Sequence, residues 1–157
     1  MRIKTFEAGS KNYDIVLELV PEKASDYDCG RQNITVARYD GAASQMTFGV
    51  NAKTTRWTKT IQAPSLAGNI PAFAVEVAAD HISWFVNGQV VGVVRSKAAV
   101  SDVPMTMRFS LVGDRSEHKN TSMYSDWQRH FGIGRGTQVK DGPSLAKSAL
   151  TGCVDRR

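Results

Sequence analysis

A chain of 157 residues, 41% of them hydrophobic, fits one globular domain with a sizeable core. Its net charge of +5, from 20 basic and 15 acidic residues, is modest and holds no basic block longer than the terminal Arg156-Arg157 pair, which argues against nucleic acid as a partner. The same charge suits anionic cell-wall polymers or plain solubility, and no run of 18 apolar residues exists to form a membrane-spanning helix.

The opening "MRIKTFEAGSKN" lacks the apolar core of a signal peptide and reads as strand and turn, so the chain is expected to start in the cytoplasm or to derive from a longer precursor. Strand patterns then follow closely: 2–6, 13–20, 32–39, 46–52, 57–63, 72–79, 81–86, 89–95, 105–112 and 122–133. All are short, rich in β-branched or aromatic residues and often alternating. Ten such segments at close spacing predict an all-β sandwich or barrel.

The punctuation agrees with the strands. Asn87-Gly88 between two apolar runs is a hairpin signal, because a type I′ turn needs positive φ at both central residues. "YDGAAS" at 39–44 separates two further strands, and Pro21, Pro64, Pro71 and Pro104 stand at segment edges, where a missing N–H does little damage. Only "PSLAKSAL" at 143–150, with Pro143 first and Gly152 just beyond, reads as a short helix. Residues 1–133 are thus expected to form the body and 134–157 a C-terminal tail. Cys29 and Cys153 lack metal-ligand spacing, and the sequence leaves open whether they pair or remain buried thiols.

One strand differs from the rest. In "DCGRQNITVARYDG", Ile34 and Val36 alternate with a polar face made of Arg31, Asn33 and Thr35. Such a face can be a solvated sheet surface or a groove for polyols, since amide and hydroxyl groups offer donors and acceptors together and a guanidinium adds a planar fork.

Further along, "FAVEVAADHISWFVNGQVV" at 73–91 contains an Ile-x-Trp-aromatic-Val-Asn-Gly hairpin formed by Ile82, Trp84, Phe85, Val86, Asn87 and Gly88. It resembles a signature of glycoside hydrolase family 16 and the concanavalin A-like lectin/glucanase group. "RIKTF…YDIVLELVP", "PMTMRFSL" and "DWQRHF" look like further strands of that family in the same order, and the resemblance spans Met1 to Phe131. "DCGRQNITVA" also looks like a variant from secreted actinobacterial proteins grouped with the family. The resemblance implies a jelly-roll sandwich of two antiparallel sheets, extracellular or cell-surface placement, and a groove for a polysaccharide or cell-wall glycan. Family members begin with extra strands that have no counterpart here, so a sheet edge is expected to lie open to a second copy or under the tail.

Active members carry Glu-x-Asp-x-Glu on the strand that corresponds to "GRQNITVAR", as retaining hydrolysis requires two carboxyl groups about 5–5.5 Å apart. In this chain those positions fall on Arg31, Asn33 and Thr35, and no acidic residue occurs from Arg31 to Tyr39. The expectation is a non-catalytic carbohydrate-binding module, a pseudoenzyme without metal or cofactor. Its groove would hold Arg31, Asn33 and Thr35, with Tyr27 and Trp57 on the rim. The alternatives are a hydrolase using carboxylates such as Glu18, Glu76 or Asp126 from other strands, and a structural or adhesion subunit of an envelope or virion. Asp26 and Asp28 lack the spacing of a calcium loop, His81, His118 and His130 lack ligand spacing, and Trp84, in phase with Ile82 and Val86, is assigned to the core.

Overall fold

The computed structural model describes residues 3–8, 12–29, 31–63, 70–113, 120–134 and 138–152. The chain is mostly β-structure. In order, the strands are β1 (Ile3–Ala8), β2 (Tyr13–Pro21), β3 (Ile34–Asp40), β4 (Gln45–Asn51), β5 (Thr55–Gln62), β6 (Phe73–Val77), β7 (Ile82–Val86), β8 (Gln89–Val94), β9 (Met105–Gly113), β10 (Asn120–Ser125) and β11 (Ala146–Ala149). Short 3-10 turns occur at Ala24–Asp26 and Lys97–Ala99.

A six-stranded antiparallel sheet runs in the order β11-β5-β4-β3-β2-β9, and β6-β7-β8 form a three-stranded one. β1 pairs with β10 from Ile3↔Ser125 to Ala8↔Asn120, a ribbon in which the segments flanking the β2–β9 ladder also pair with each other. The larger and smaller sheets share one core. Ile15, Leu17, Ile34, Phe48 and Val50 from the first meet Phe73, Ile82, Trp84 and Val94 from the second. Each side chain occupies the inward phase of a strand, where burying a Leu, Ile or Phe contributes about 1.5–3 kcal/mol.

β3 shows how that core is kept. Strict alternation from Ile34 would put Arg38 in the interior and Tyr39 in water. A β-bulge between Thr35 and Arg38 shifts the register against both β2 and β4 near Val36. Val36, Ala37 and Tyr39 are all buried, and Arg38 emerges on the outer face. Trp84, wholly buried, reaches across from the small sheet and donates its indole N–H to the carbonyl of Thr35, 2.9 Å away, where the ladder is interrupted.

The hairpin at Asn87-Gly88 forms as expected, with φ of 50° and 80° at the two positions. Two expectations fail. Residues 143–150 are not helical: Ser144 makes a parallel bridge to Val93 of β8, Leu145 enters the core, and β11 pairs with β5. A helix of this length is marginal by itself, whereas the extended segment gains ladder bonds from two strand edges. Gly92 makes this possible, since a Cβ there would lie 2.4 Å from Cδ1 of Leu145. The strand expected over 122–133 stops at Ser125, and residues 126–134 run on without ladder pairing among the described residues, leaving Trp127, Phe131 and Ile133 exposed.

Cys29 is disulfide-bonded, and the other cysteine of the sequence, Cys153, lies outside the described residues. No described helix is long and apolar enough to cross a membrane.

Leu145 is the apolar anchor of the segment that joins the two sheets. Leu145→Ala is expected to lower unfolding free energy by about 2–4 kcal/mol in urea titration, and Lys147→Ala, at an exposed position of β11, by less than about 1 kcal/mol.

Candidate functional site

The outward phase of the six-stranded sheet is polar, and its register places the residues in rows. Arg108, Glu18, Thr35, Gly49 and Thr58 succeed one another across β9, β2, β3, β4 and β5. Next to them, the Asn51 N–H donates to the carbonyl of Asn33 at 2.9 Å, and Asn51 stands opposite Arg56. On the other side Val16, Arg38, Thr47 and Thr60 form a third row, in which the Thr47 and Thr60 hydroxyls are 2.8 Å apart.

A groove lies across these rows, lined among others by Glu18, Asn33, Thr35, Arg38, Asn51 and Arg56. Gly49 supplies its floor. A side chain there is excluded, because a Cβ would come within 2.5 Å of the Trp57 carbonyl. Asn33 is 2% exposed, yet its Oδ1 has no hydrogen-bond partner. An orphan acceptor of this kind costs about 1–3 kcal/mol, so it marks a position where an outside donor would be favourable.

The charges on this face form two ion pairs, which leave Asp40 and Arg56 outside them. Arg108 donates through both Nε, at 3.2 Å, and Nη2, at 2.8 Å, to Oε2 of Glu18, and its guanidinium lies over the Tyr27 ring at 5.7 Å. Burial works to lower the Arg108 pKa, but hydrogen bonds to Glu18 and Tyr27 outweigh it and hold the group above its ordinary value. Arg38 donates through Nε and Nη2 to Oδ2 of Asp14, and Asp40, opposite Asp14 in the ladder, accepts the Ala43 N–H at 2.9 Å. Arg56 has no carboxylate partner among the described residues.

The five residues marked in the sequence do not converge at one place. Asn33 and Thr35 line the groove. Arg31 does not; it lies in the loop before β3 and forms an ion pair with Asp28 at 3.2 Å. Tyr27 stands beside Arg108, on the β9 side. Trp57 is 8% exposed, belongs to the core, and carries the Lys147 ammonium 5.7 Å from its ring. It lines a second depression with Lys53, Lys97 and Asp102, and Asn51 borders both.

Sequence reasoning missed Arg38, whose position depends on the bulge, and the Glu18–Arg108 pair, whose members lie 90 residues apart. Arg56, Thr58 and Thr60 alternate along β5, a signal that could have been read. Of the other acidic candidates, Glu76 lies in the small sheet, and Asp126 lies in the exposed extended segment. Asp26 and Asp28 belong to no cluster of three metal-ligating residues among those described.

His81 is fully buried, held by Asp80 Oδ1 at 2.7 Å from Nδ1 and by Glu76 Oε1 at 3.2 Å from Nε2. His130 is exposed, and His118 lies outside the described residues. The Asp80 carboxyl is held below its ordinary 3.8, chiefly by its hydrogen bond with His81. A carboxyl with a depressed folded-state pKa stabilises the fold above its unfolded value and ceases to do so as pH falls through the folded one.

No protein-family model matches this chain, and no curated protein sequence matches it.

Two outcomes test these contacts. Glu18→Gln and Arg108→Met should each cost about 1–3 kcal/mol in chemical denaturation, with the double variant costing less than the sum. Asp80→Asn should melt below the parent at pH 7, and the gap should close as pH is taken below 3.8.

Proposed function

We propose that this protein is a non-catalytic carbohydrate-binding module, cell-surface or wall-associated, with a jelly-roll sandwich of the glycoside hydrolase family 16 type and its saccharide site in the groove of the six-stranded sheet. The observation that carries this reading is the buried, unpartnered Oδ1 of Asn33 beside a side-chain-free floor at Gly49, amid the hydroxyls of Thr35, Thr47 and Thr58. A saccharide offers many hydroxyl donors and acceptors on a flat ring, and a rigid sheet face presents complementary groups at low entropic cost.

The non-catalytic reading is supported by the state of the nearby carboxylates. Hydrolysis needs one free acid and one free base or nucleophile. Glu18 is taken up by Arg108, Asp14 by Arg38, and Asp40 by a backbone N–H. The strand that corresponds to the family's acidic motif offers an amide and a hydroxyl in its place.

Titration calorimetry against a panel of β-glucan, galactan and wall-derived oligosaccharides is expected to give binding to at least one, without release of reducing ends on prolonged incubation. Asn33→Leu should keep the thermal transition of the parent within a few degrees and weaken that binding about tenfold, as expected for one lost hydrogen bond. Failure to bind any member of the panel would overturn the reading, and reducing-end release abolished by Glu18→Gln would replace it with a hydrolase.

A further inference from the structure

We infer that the preferred ligand of this groove is an acidic saccharide chain, one whose sugar units carry carboxylate or sulfate substituents; the inference rests on the saccharide reading above and narrows it. Around the groove, Arg108 is matched by Glu18 and Arg38 by Asp14. Arg56 lines the same groove and has no carboxylate partner among the described residues. The groove therefore carries one uncompensated guanidinium, whose planar fork fits an oxyanion bidentately.

The position of that charge relative to Asn33 indicates the shape of the ligand. Asn33, Asn51 and Arg56 are successive across three strands, so their backbones span two strand spacings, about 10 Å. A ligand that donates a hydroxyl to Asn33 Oδ1 and seats an anion at Arg56 must extend across the sheet, which suits an oligosaccharide better than a lone anion. The basic character also continues along the same line. Asn51 borders both the groove and the second depression, which Lys53 and Lys97 line together with Asp102. A chain with repeated negative charges would meet Arg56 first and these lysines next.

Neutral polyols would satisfy Asn33 and the threonines but leave Arg56 to water. Phosphate or sulfate alone would engage Arg56 but leave Asn33 Oδ1 without a donor. An acidic saccharide answers both.

The test compares three oligosaccharides of equal length by calorimetry at low salt: an oligogalacturonate, a sulfated galacto-oligosaccharide and the neutral galacto-oligosaccharide. At least one acidic member is expected to bind ten times or more tightly than the neutral one, with the preference shrinking in added NaCl; the two acidic arms tell carboxylate from sulfate. Arg56→Gln should reduce the preference to about twofold or less, while Lys140→Gln, which removes a charge at an exposed position away from the groove, should retain it. Equal affinity for all three would overturn the acidic preference and leave saccharide binding standing. An acidic preference that survives Arg56→Gln would overturn the assignment of the charge to this groove; no binding in any arm would overturn the acidic preference, and the saccharide reading falls with it when the β-glucan and wall-derived panel also fails to bind.

Discussion

Much of this molecule depends on one extra residue in β3. The bulge near Val36 lets the strand bury Ile34, Val36, Ala37 and Tyr39 while presenting Thr35 and Arg38 on the outside. Without it the alternation would place a guanidinium in the core, at a desolvation cost that no partner there offsets. The bulge also exposes the Thr35 carbonyl to the indole N–H of Trp84, so the irregularity that shapes the groove is tied to the opposite sheet by a buried hydrogen bond. Groove and core are therefore not independent: a change that removed the bulge would move Arg38 inward and withdraw the acceptor from Trp84.

The second constraint is closure. Two sheets that share a core still expose strand edges where their ladders end, and here one segment serves both. Ser144 bridges to β8, Leu145 fills the space left open by Gly92, and β11 continues the larger sheet beyond β5. The β5 edge is thus covered by the chain itself, a usual remedy for exposed ladders. Since β5 also carries Arg56 and Thr58, the strap steadies the strand that supplies one wall of the groove.

The legible and illegible parts of the sequence divide along the range of the interactions. The strands from β1 to β9 and the turn at Asn87-Gly88 are specified by alternation and by φ preferences within a few residues, so they can be read locally, whereas the tenth pattern, 122–133, overruns a strand that ends at Ser125. The core role of Trp84 followed from its phase with Ile82 and Val86. Asn33 and Thr35 were marked because a polar face on one strand is visible in one dimension. The bulge was not, because Ala37 satisfies either phase and only the partners on β2 and β4 decide between them. On local pattern the strap reads as a helix, because Pro143 and Gly152 resemble helix punctuation. What overrides that pattern is two unfilled strand edges more than 50 residues upstream. Arg108 reaches Glu18 across the β2–β9 ladder, a pairing that no local window contains.

The same face also indicates why the chemistry and the binding reading separate. In a retaining glycosidase the paired carboxyl groups work because each is free to exchange a proton or attack a sugar carbon. Here Glu18, Asp14 and Asp40, the carboxylates on this face among the described residues, each have an oxygen occupied by a guanidinium or a backbone N–H. Arginine is well suited to that role, because it remains charged across the working pH range. The two pairs leave a face rich in hydroxyl and amide groups, on which Arg56 in the groove and Asp40 beside Asp14 have no ion-pair partner among the described residues. On such a surface two groups without a partner among the described residues stand out, Asn33 Oδ1 and the Arg56 guanidinium. One asks for a hydrogen donor and the other for an anion, and their separation across three strands determines how the two must be joined.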